Sequence, residues 1–199
     1  MKQKLALAAL MVCAFGAQAA LKIGDKIPAT DVKLTGEGGK EYTLAELKGP
    51  RGLLVIFTCN ACPYAVAWER RIVDLGNKWI QKEYGVGVVA VNPNDPNVSP
   101  SDTLDKIVAR AKKEFYKFPY LADTTQNLAK AFGATKTPEC FLFNAKGELV
   151  YHGAVDDNHK DAKKVKQKYL EQALNAMRHG EPIPVPETKA IGCTIKWRK

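Results

Sequence analysis

The sequence predicts an α/β protein, a mixed central sheet with helices packed on both faces, and three observations carry that expectation. An apolar, β-branched run from Leu53 to Thr58 leads directly into a stretch where Ala65, Trp68, Ile72, Leu75 and Trp79 recur at spacings of three and four. The run is the pattern of a strand buried on both faces. The stretch is an amphipathic helix, with Glu69, Arg70, Asp74 and Lys78 turned away from its apolar stripe. VGVVAVN then supplies a second buried strand, so strand, helix and strand imply a right-handed parallel crossover. Further on, CFLFN and ELVYHGAV flank Ala145-Lys146-Gly147, the arrangement of a hairpin.

The remaining elements follow in order. Lys2 and Lys4 precede LALAALMVCAFG, and Ala17-Gln18-Ala19 supplies the small residues of a cleavage site, so residues 1–19 are expected to be an export signal. The apolar run is too short to span a bilayer; a retained anchor and lipidation at Cys13 are the alternatives. Ser99-Pro100-Ser101-Asp102 predicts a capped helix start with Leu104, Ile107, Val108, Ala111 and Phe115 on its buried side. Asp123-Thr124-Thr125-Gln126 predicts another start, and Gly133 suits its end. A lysine-rich helix is expected to bury Val165, Tyr169, Leu170, Ala173, Leu174 and Met177. Several prolines keep GEPIPVPETKAIGCTIKWRK from being one helix, so it is expected to be extended and folded back. The boundaries are therefore a signal over 1–19, one domain over 20–180, and a Pro-rich tail carrying Cys193 over 181–199.

Composition bounds the function. With 199 residues, 46% hydrophobic and 26% charged, the chain suits a single core of substantial size. Its formal charge is +9, and removing Lys2 and Lys4 leaves +7, because residues 1–19 contain no acid. The bases concentrate in DAKKVKQKYLEQALNAMR and KWRK, where a solvated helix face accounts for them. No reader motif accompanies the charge, so nucleic acid is not an expected partner.

Four cysteines follow the signal: Cys59, Cys62, Cys140 and Cys193. A bridge between Cys59 and Cys62 encloses two residues and constrains the unfolded chain little, so a structural staple is a poor account of TCNACPY. Zinc ribbons need a second pair of ligands, and there is no second CxxC or HxxxH. At the junction of strand and helix, unpaired N–H groups and the helix dipole favour a thiolate. Cys59 is then placed to attack a partner disulfide and Cys62 to resolve the mixed disulfide, with Pro63 in the first turn, where its missing N–H costs nothing. Thr137-Pro138-Glu139 precedes the strand CFLF, and a cis bond at Pro138 would set a tight turn beside the thiols.

TCNACPY, VAVNPNDP, FPYLADTTQNLAKAFGA with TPE, VDDN and the tail PIPVPETKAIGCTIKW together resemble the thioredoxin-like redoxins related to peroxiredoxins, often called peroxiredoxin-like proteins. The resemblance runs from about Leu21 to the C-terminus. It implies a thioredoxin fold, a redox-active Cys59/Cys62 pair and a cis-proline at Pro138. The chain departs from thioredoxin in having Thr58 where a tryptophan precedes the first cysteine, Asn60-Ala61 between the thiols, and Leu53 where a buried aspartate would take a proton. Glu139 is the candidate replacement base. Thr137 and Tyr64 are candidates for the substrate face, Tyr64 and Trp68 otherwise serving packing.

Cys140 is either a small buried hydrophobe or a thiol under the reactive pair. Cys193 is a possible third redox thiol, a tail cysteine bonded to Cys140, or a packed side chain. The resulting expectation is an exported, periplasmic thiol–disulfide oxidoreductase needing no cofactor or metal and no membrane segment after signal removal. Its partners would be a protein or small-molecule disulfide or dithiol and a redox partner. Two alternative chemistries remain, besides a pure binding module in which the thiols are incidental. A thiol peroxidase would attack peroxide with Cys62, although no arginine accompanies Thr137-Pro138-Glu139. A Cu(I) carrier similar to the Sco-type chaperones would use both thiols, although His152 lies beyond the strand, and His152, His159 and His179 read as surface or packing residues.

Overall fold

The computed structural model describes residues 20–199; the export signal expected over 1–19, with Cys13, lies outside the described residues. In chain order the elements are β1 (Leu34–Thr35), β2 (Glu41–Tyr42), α1 (Leu44–Leu47), β3 (Gly52–Phe57), α2 (Pro63–Trp79), β4 (Val86–Asn92), α3 (Leu104–Lys113) and β5 (Tyr120–Ala122). Then come α4 (Asn127–Phe132), β6 (Lys136–Thr137), β7 (Glu139–Asn144), β8 (Leu149–Gly153), α5 (Tyr169–His179) and β9 (Cys193–Thr194). One ladder runs β2-β1-β5-β4 and another β3-β7-β8, with β3 and β4 side by side. The sheet is mixed: β4 and β5 are parallel, while β3, β7 and β8 alternate in direction.

Side-chain alternation along β3 divides the core. Leu54 and Ile56 join Trp68, Ile72, Ile107, Leu170 and Leu174 on one face, whereas Leu53, Val55 and Phe57 join Leu44, Leu128 and Phe132 on the other. Helices α2, α3 and α5 therefore cover the first face, and α1 and α4 the second. On that second face Phe57, Phe132, Phe141 and Phe143 meet edge to face, with ring centroids 5.1–5.7 Å apart, a geometry that adds to simple burial.

Three expectations need correction. α3 starts at Leu104, after a separate 3-10 turn over Pro100–Asp102, because the Asp102 side chain turns inward instead of remaining in a solvent-facing first turn. Phe115 is 72% exposed with φ +60°, beyond the end of α3, and Phe118 fills the core in its place. α5 starts at Tyr169 and leaves Val165 outside it. Upstream, Asp161 caps Lys163 N–H and Asp157 accepts from Lys166 N–H, so local carboxylates replace helical bonds. The lysines at 160, 164 and 168 would also repel at i,i+4 spacing. Gly133 ends α4 as expected, at φ +65°.

The tail folds back along the domain as anticipated. His152 N–H donates to Pro186 C=O and Thr188 N–H to His152 C=O (3.0 and 2.9 Å). Beyond this, β9 pairs antiparallel with β6, Ile195 is buried in the second face, and Arg198 Nε lies 2.6 Å from Asp95 Oδ2. Among the described residues no helix is long and apolar enough to cross a membrane.

Gly76, inside α2, shows how tightly the first face is filled. A Cβ there would sit 2.2 Å from the buried Phe118 ring. Alanine normally stabilises a helix interior by about 1 kcal/mol over glycine, but Gly76→Ala is expected to lose about 1–3 kcal/mol from overpacking. Urea denaturation checks the sign; a gain in stability would show that the ring moves freely.

Candidate functional site

The site begins where β3 leaves the sheet. Thr58 N–H donates to Val91 C=O at 2.9 Å, Cys59, Asn60 and Ala61 form a short loop, and Cys62 is the N-cap of α2 with Pro63 as first helical residue. Both sulfurs converge on Thr137. Cys59 Sγ is 3.1 Å from Thr137 Oγ1, and Cys62 Sγ is 3.1 Å from the Thr137 carbonyl. The Thr137–Pro138 peptide is cis, as the resemblance implied. Cys59 and Cys62 are only 6% and 3% exposed, and Tyr64 packs half-buried beside them, its ring 4.6 Å from that of His159.

The two thiols are shifted in opposite directions. The hydrogen bond from Cys59 is the largest influence lowering Cys62, to about 4; burial opposes it, while the Cys193 thiol, Ala65 N–H and Cys193 N–H assist. Cys59 moves upward, because it supplies that bond and is buried, with the charge of Asp102 adding to the shift. The Thr137 carbonyl favours a protonated Cys62, but the two backbone amides and the Cys59 thiol outweigh it. Cys62, as the N-cap of α2, is the thiol drawn down, and Cys59 the one drawn up.

Sequence reasoning missed the group that fixes this loop. Asp102, 3% exposed, accepts from Asn60 N–H (2.8 Å), Asn92 Nδ2 (2.8 Å), Asn94 Nδ2 (2.9 Å) and Ser99 Oγ (2.5 Å). Asn60 is held on its other sides, donating through Nδ2 to Ser101 C=O at 2.9 Å and accepting from Tyr120 Oη at 3.0 Å. The available signal is the density of Asn and Asp in VAVNPNDP, whose Asn92 and Asn94 supply two of the four donors.

The other expected residues separate into two groups. Glu139, 2% exposed, receives Thr135 N–H (2.8 Å), Lys136 N–H (2.9 Å) and His152 Nε2 (2.7 Å). None of these bonds reaches Cys59 or Cys62, so the carboxylate braces the turn around Pro138. His152 is not a surface residue: it stacks on Phe141 at 4.5 Å while bonding Glu139. Cys140 lies opposite Ile56 and Gly153 in the sheet, wholly buried, and burial pushes its thiol up. It serves as a small apolar side chain. Cys193 belongs with the reactive pair: it stands opposite Thr137, its N–H 3.3 Å from Cys62 Sγ, packed against the Cys59, Cys62 and Ala65 cluster. Among the described residues no group of three His, Cys, Asp or Glu side chains is arranged to hold a metal ion.

The Redoxin family matches residues 22–169. The chain belongs to this family. A hypothetical protein from Sinorhizobium meliloti 1021 is 35% identical to this redoxin, covering 90% of this chain and 97% of its own, with a TM-score of 0.82. The thiol-disulfide oxidoreductase ResA of Halalkalibacterium halodurans is 29% identical over 113 residues. That match covers 56% of this redoxin and spans only 58% of the length of the curated relative. A thioredoxin-like protein solved in its oxidised form (22% identity, 81% of this chain and 99% of that one, TM-score 0.62) shares the fold. This redoxin therefore has the expected thioredoxin fold.

Two outcomes test the site. Asp102→Asn turns an amide toward donors that now face a carboxylate; it is expected to cost at least about 2 kcal/mol, measured by urea denaturation, and an unchanged midpoint would remove Asp102 from the framework. The second concerns pH. Cys62 is depressed from 9.0 to about 4, so between those values the unfolded chain binds the extra proton and stability rises with pH. The stability that wild type holds over Cys62→Ser is expected to vanish as pH falls through about 4, to reach its maximum near pH 9, and to decline above it, where the unfolded chain gives up the Cys59 proton that the folded chain keeps. Denaturation at several pH values, with thiolate absorbance followed in parallel, measures it.

Proposed function

We propose that this redoxin is an exported thiol–disulfide oxidoreductase of the periplasm, acting on a protein or small-molecule disulfide through Cys59 and Cys62. The observation that carries the reading is the convergence of both sulfurs on Thr137, each at 3.1 Å, where the buried strand gives way to the helix. Cys59 attacks the partner disulfide while its proton crosses to the Cys62 thiolate, so the nucleophile is created at the moment of attack. One partner sulfur leaves as a thiolate that takes the proton back from Cys62, and the other stays bonded to Cys59. The Cys62 thiolate then displaces it, forming the Cys59–Cys62 disulfide and releasing the second sulfur as a thiolate, which water protonates. Asp102 acts as a positioning residue through Asn60, and Glu139 as one through the Thr135–Lys136 backbone. Exposed Ala61 and Pro63 flank Cys62 in the chain and supply an apolar rim for the partner. Export follows from the charged and apolar pattern of residues 1–19.

A thiol peroxidase reading gains support from the Cys62 thiolate. Against it, Arg110 is bound to Glu69 and Arg71 to Asp156, and neither hydrogen-bonds a sulfur to stabilise a peroxide-attacking state. The copper-carrier reading gains no third ligand from His152, which is bound to Glu139.

Cys62→Ser removes the resolving sulfur together with the bond that raises Cys59 most, so near pH 9, where solvent can take the Cys59 proton, it is expected to accumulate a mixed disulfide on Cys59 with a model disulfide substrate, whereas Cys59→Ser should not. Non-reducing mass spectrometry distinguishes them. A stable adduct in Cys59→Ser alone would reverse the assigned order, and rapid peroxide consumption by Cys59→Ser would favour the peroxidase.

A further inference from the structure

The exchange above leaves one sulfur of the cluster unused. Cys193 sits on β9, opposite Thr137 of β6, with its backbone N–H 3.3 Å from Cys62 Sγ and its side chain packed against the Cys59, Cys62 and Ala65 cluster. Its position is fixed on both sides. Upstream, Thr188 Oγ1 accepts from Ala154 N–H (2.9 Å) and meets Tyr151 Oη (3.0 Å). Downstream, Ile195 N–H donates to Thr135 C=O (3.1 Å), and Lys196 N–H donates to Asn94 Oδ1 (2.8 Å). Gly192 allows the close approach: a Cβ there would lie 2.1 Å from the Thr137 carbonyl oxygen. Packing alone would be served by any small apolar side chain, yet the residue at this point is a thiol. It is half-exposed, whereas Cys59 and Cys62 are buried.

Resting on the oxidoreductase reading, we propose that Cys193 is a relay thiol, which takes the disulfide from the Cys59–Cys62 pair and carries it, as Cys62–Cys193, to the surface where a redox partner reaches it. The Cys193 thiolate attacks the Cys62 sulfur of the Cys59–Cys62 disulfide. The Cys62–Cys193 bond forms, the Cys59–Cys62 bond breaks, and the electron pair leaves on Cys59. That sulfur takes up the proton Cys193 lost, next to the Thr137 hydroxyl 3.1 Å away. One disulfide is consumed and one formed, so no further oxidant enters.

Charge gives the step its timing. Cys193 is held up at about 11 by burial and by its hydrogen bond to, and the charge of, Cys62, against the pull of Lys196 and Lys136. While Cys62 is a thiolate, Cys193 is quiet. Once Cys62 enters a disulfide its charge is gone, two of the three causes raising Cys193 disappear, and the lysines remain.

Tryptic mapping tests the relay, because Cys59 and Cys62 share the peptide 52–70, Cys193 lies in 190–196 and Cys140 in 137–146. The purified protein is oxidised with one equivalent of diamide, freed of reagent, incubated, then acid-quenched, alkylated and digested. Wild type is expected to show the internal bond in 52–70 first, and then a growing fraction of 52–70 linked to 190–196. Cys193→Ser should retain the internal bond and lose the linked species completely, and Cys59→Ser should give the linked species as its main product. A wild-type digest with only the internal bond at every time overturns the relay while sparing the oxidoreductase reading, as does a Cys59→Ser digest in which 190–196 stays unlinked or joins 137–146. Absence of the internal bond in Cys193→Ser would instead bring down the oxidoreductase reading itself.

Discussion

The convergence of two buried sulfurs on Thr137 organises this molecule. Neither cysteine has enough contact with water to carry charge on ordinary terms, since burial raises a thiol's pKa. Against that cost Cys62 is drawn down by its thiol neighbours and by two backbone N–H groups, that of Ala65 in α2 and that of Cys193 on β9. A pair of this kind requires the loop from Cys59 to Cys62 to hold its shape to within a fraction of an ångström, and the surrounding structure is built to that end.

Two buried carboxylates supply the rigidity, each by saturating its oxygens with donors from separate parts of the chain. Asp102 ties Asn60 to the end of β4 and to the turn before α3. Glu139 ties the β6 backbone to His152 on β8. Burying charge is costly unless every lone pair finds a partner, so each cluster is an all-or-none arrangement. The loop on one side and the Pro138 turn on the other thus meet at a set distance, with Thr137 between the sulfurs.

How much of this was legible in the sequence depended on the range of the interaction concerned. The β3–α2–β4 unit was readable because its periodicities are local: VGVVAVN corresponds to β4 residue for residue, and the stripe from Ala65 to Trp79 is the buried side of α2. The β7–β8 hairpin was equally plain. Asp102 escapes a local reading because a Ser-Pro-Ser-Asp run has a good explanation as a helix start, and nothing nearby reveals that Asn60, forty-two residues away, joins Asn92, Asn94 and Ser99 as a donor to it. The lysine-rich helix was drawn too long for the same reason, since Asp157 and Asp161 divert its backbone bonds. Within the site, Cys59, Cys62, Thr137 and Pro138 were found from spacing and resemblance. The choice between Cys140 and Cys193 was not open to sequence reasoning, because it turns on β9 crossing back to β6, a contact spanning more than fifty residues.

That crossing affects biosynthesis. The reactive centre is stitched from segments near residues 59, 102, 137 and 193, so a nascent chain emerging N-terminus first exposes its cysteine pair well before the closing strand is available. During this interval Cys62 lacks the amide of Cys193, and Arg198 has yet to latch onto Asp95. The complete site therefore exists only once the last of these segments has been made and has folded back.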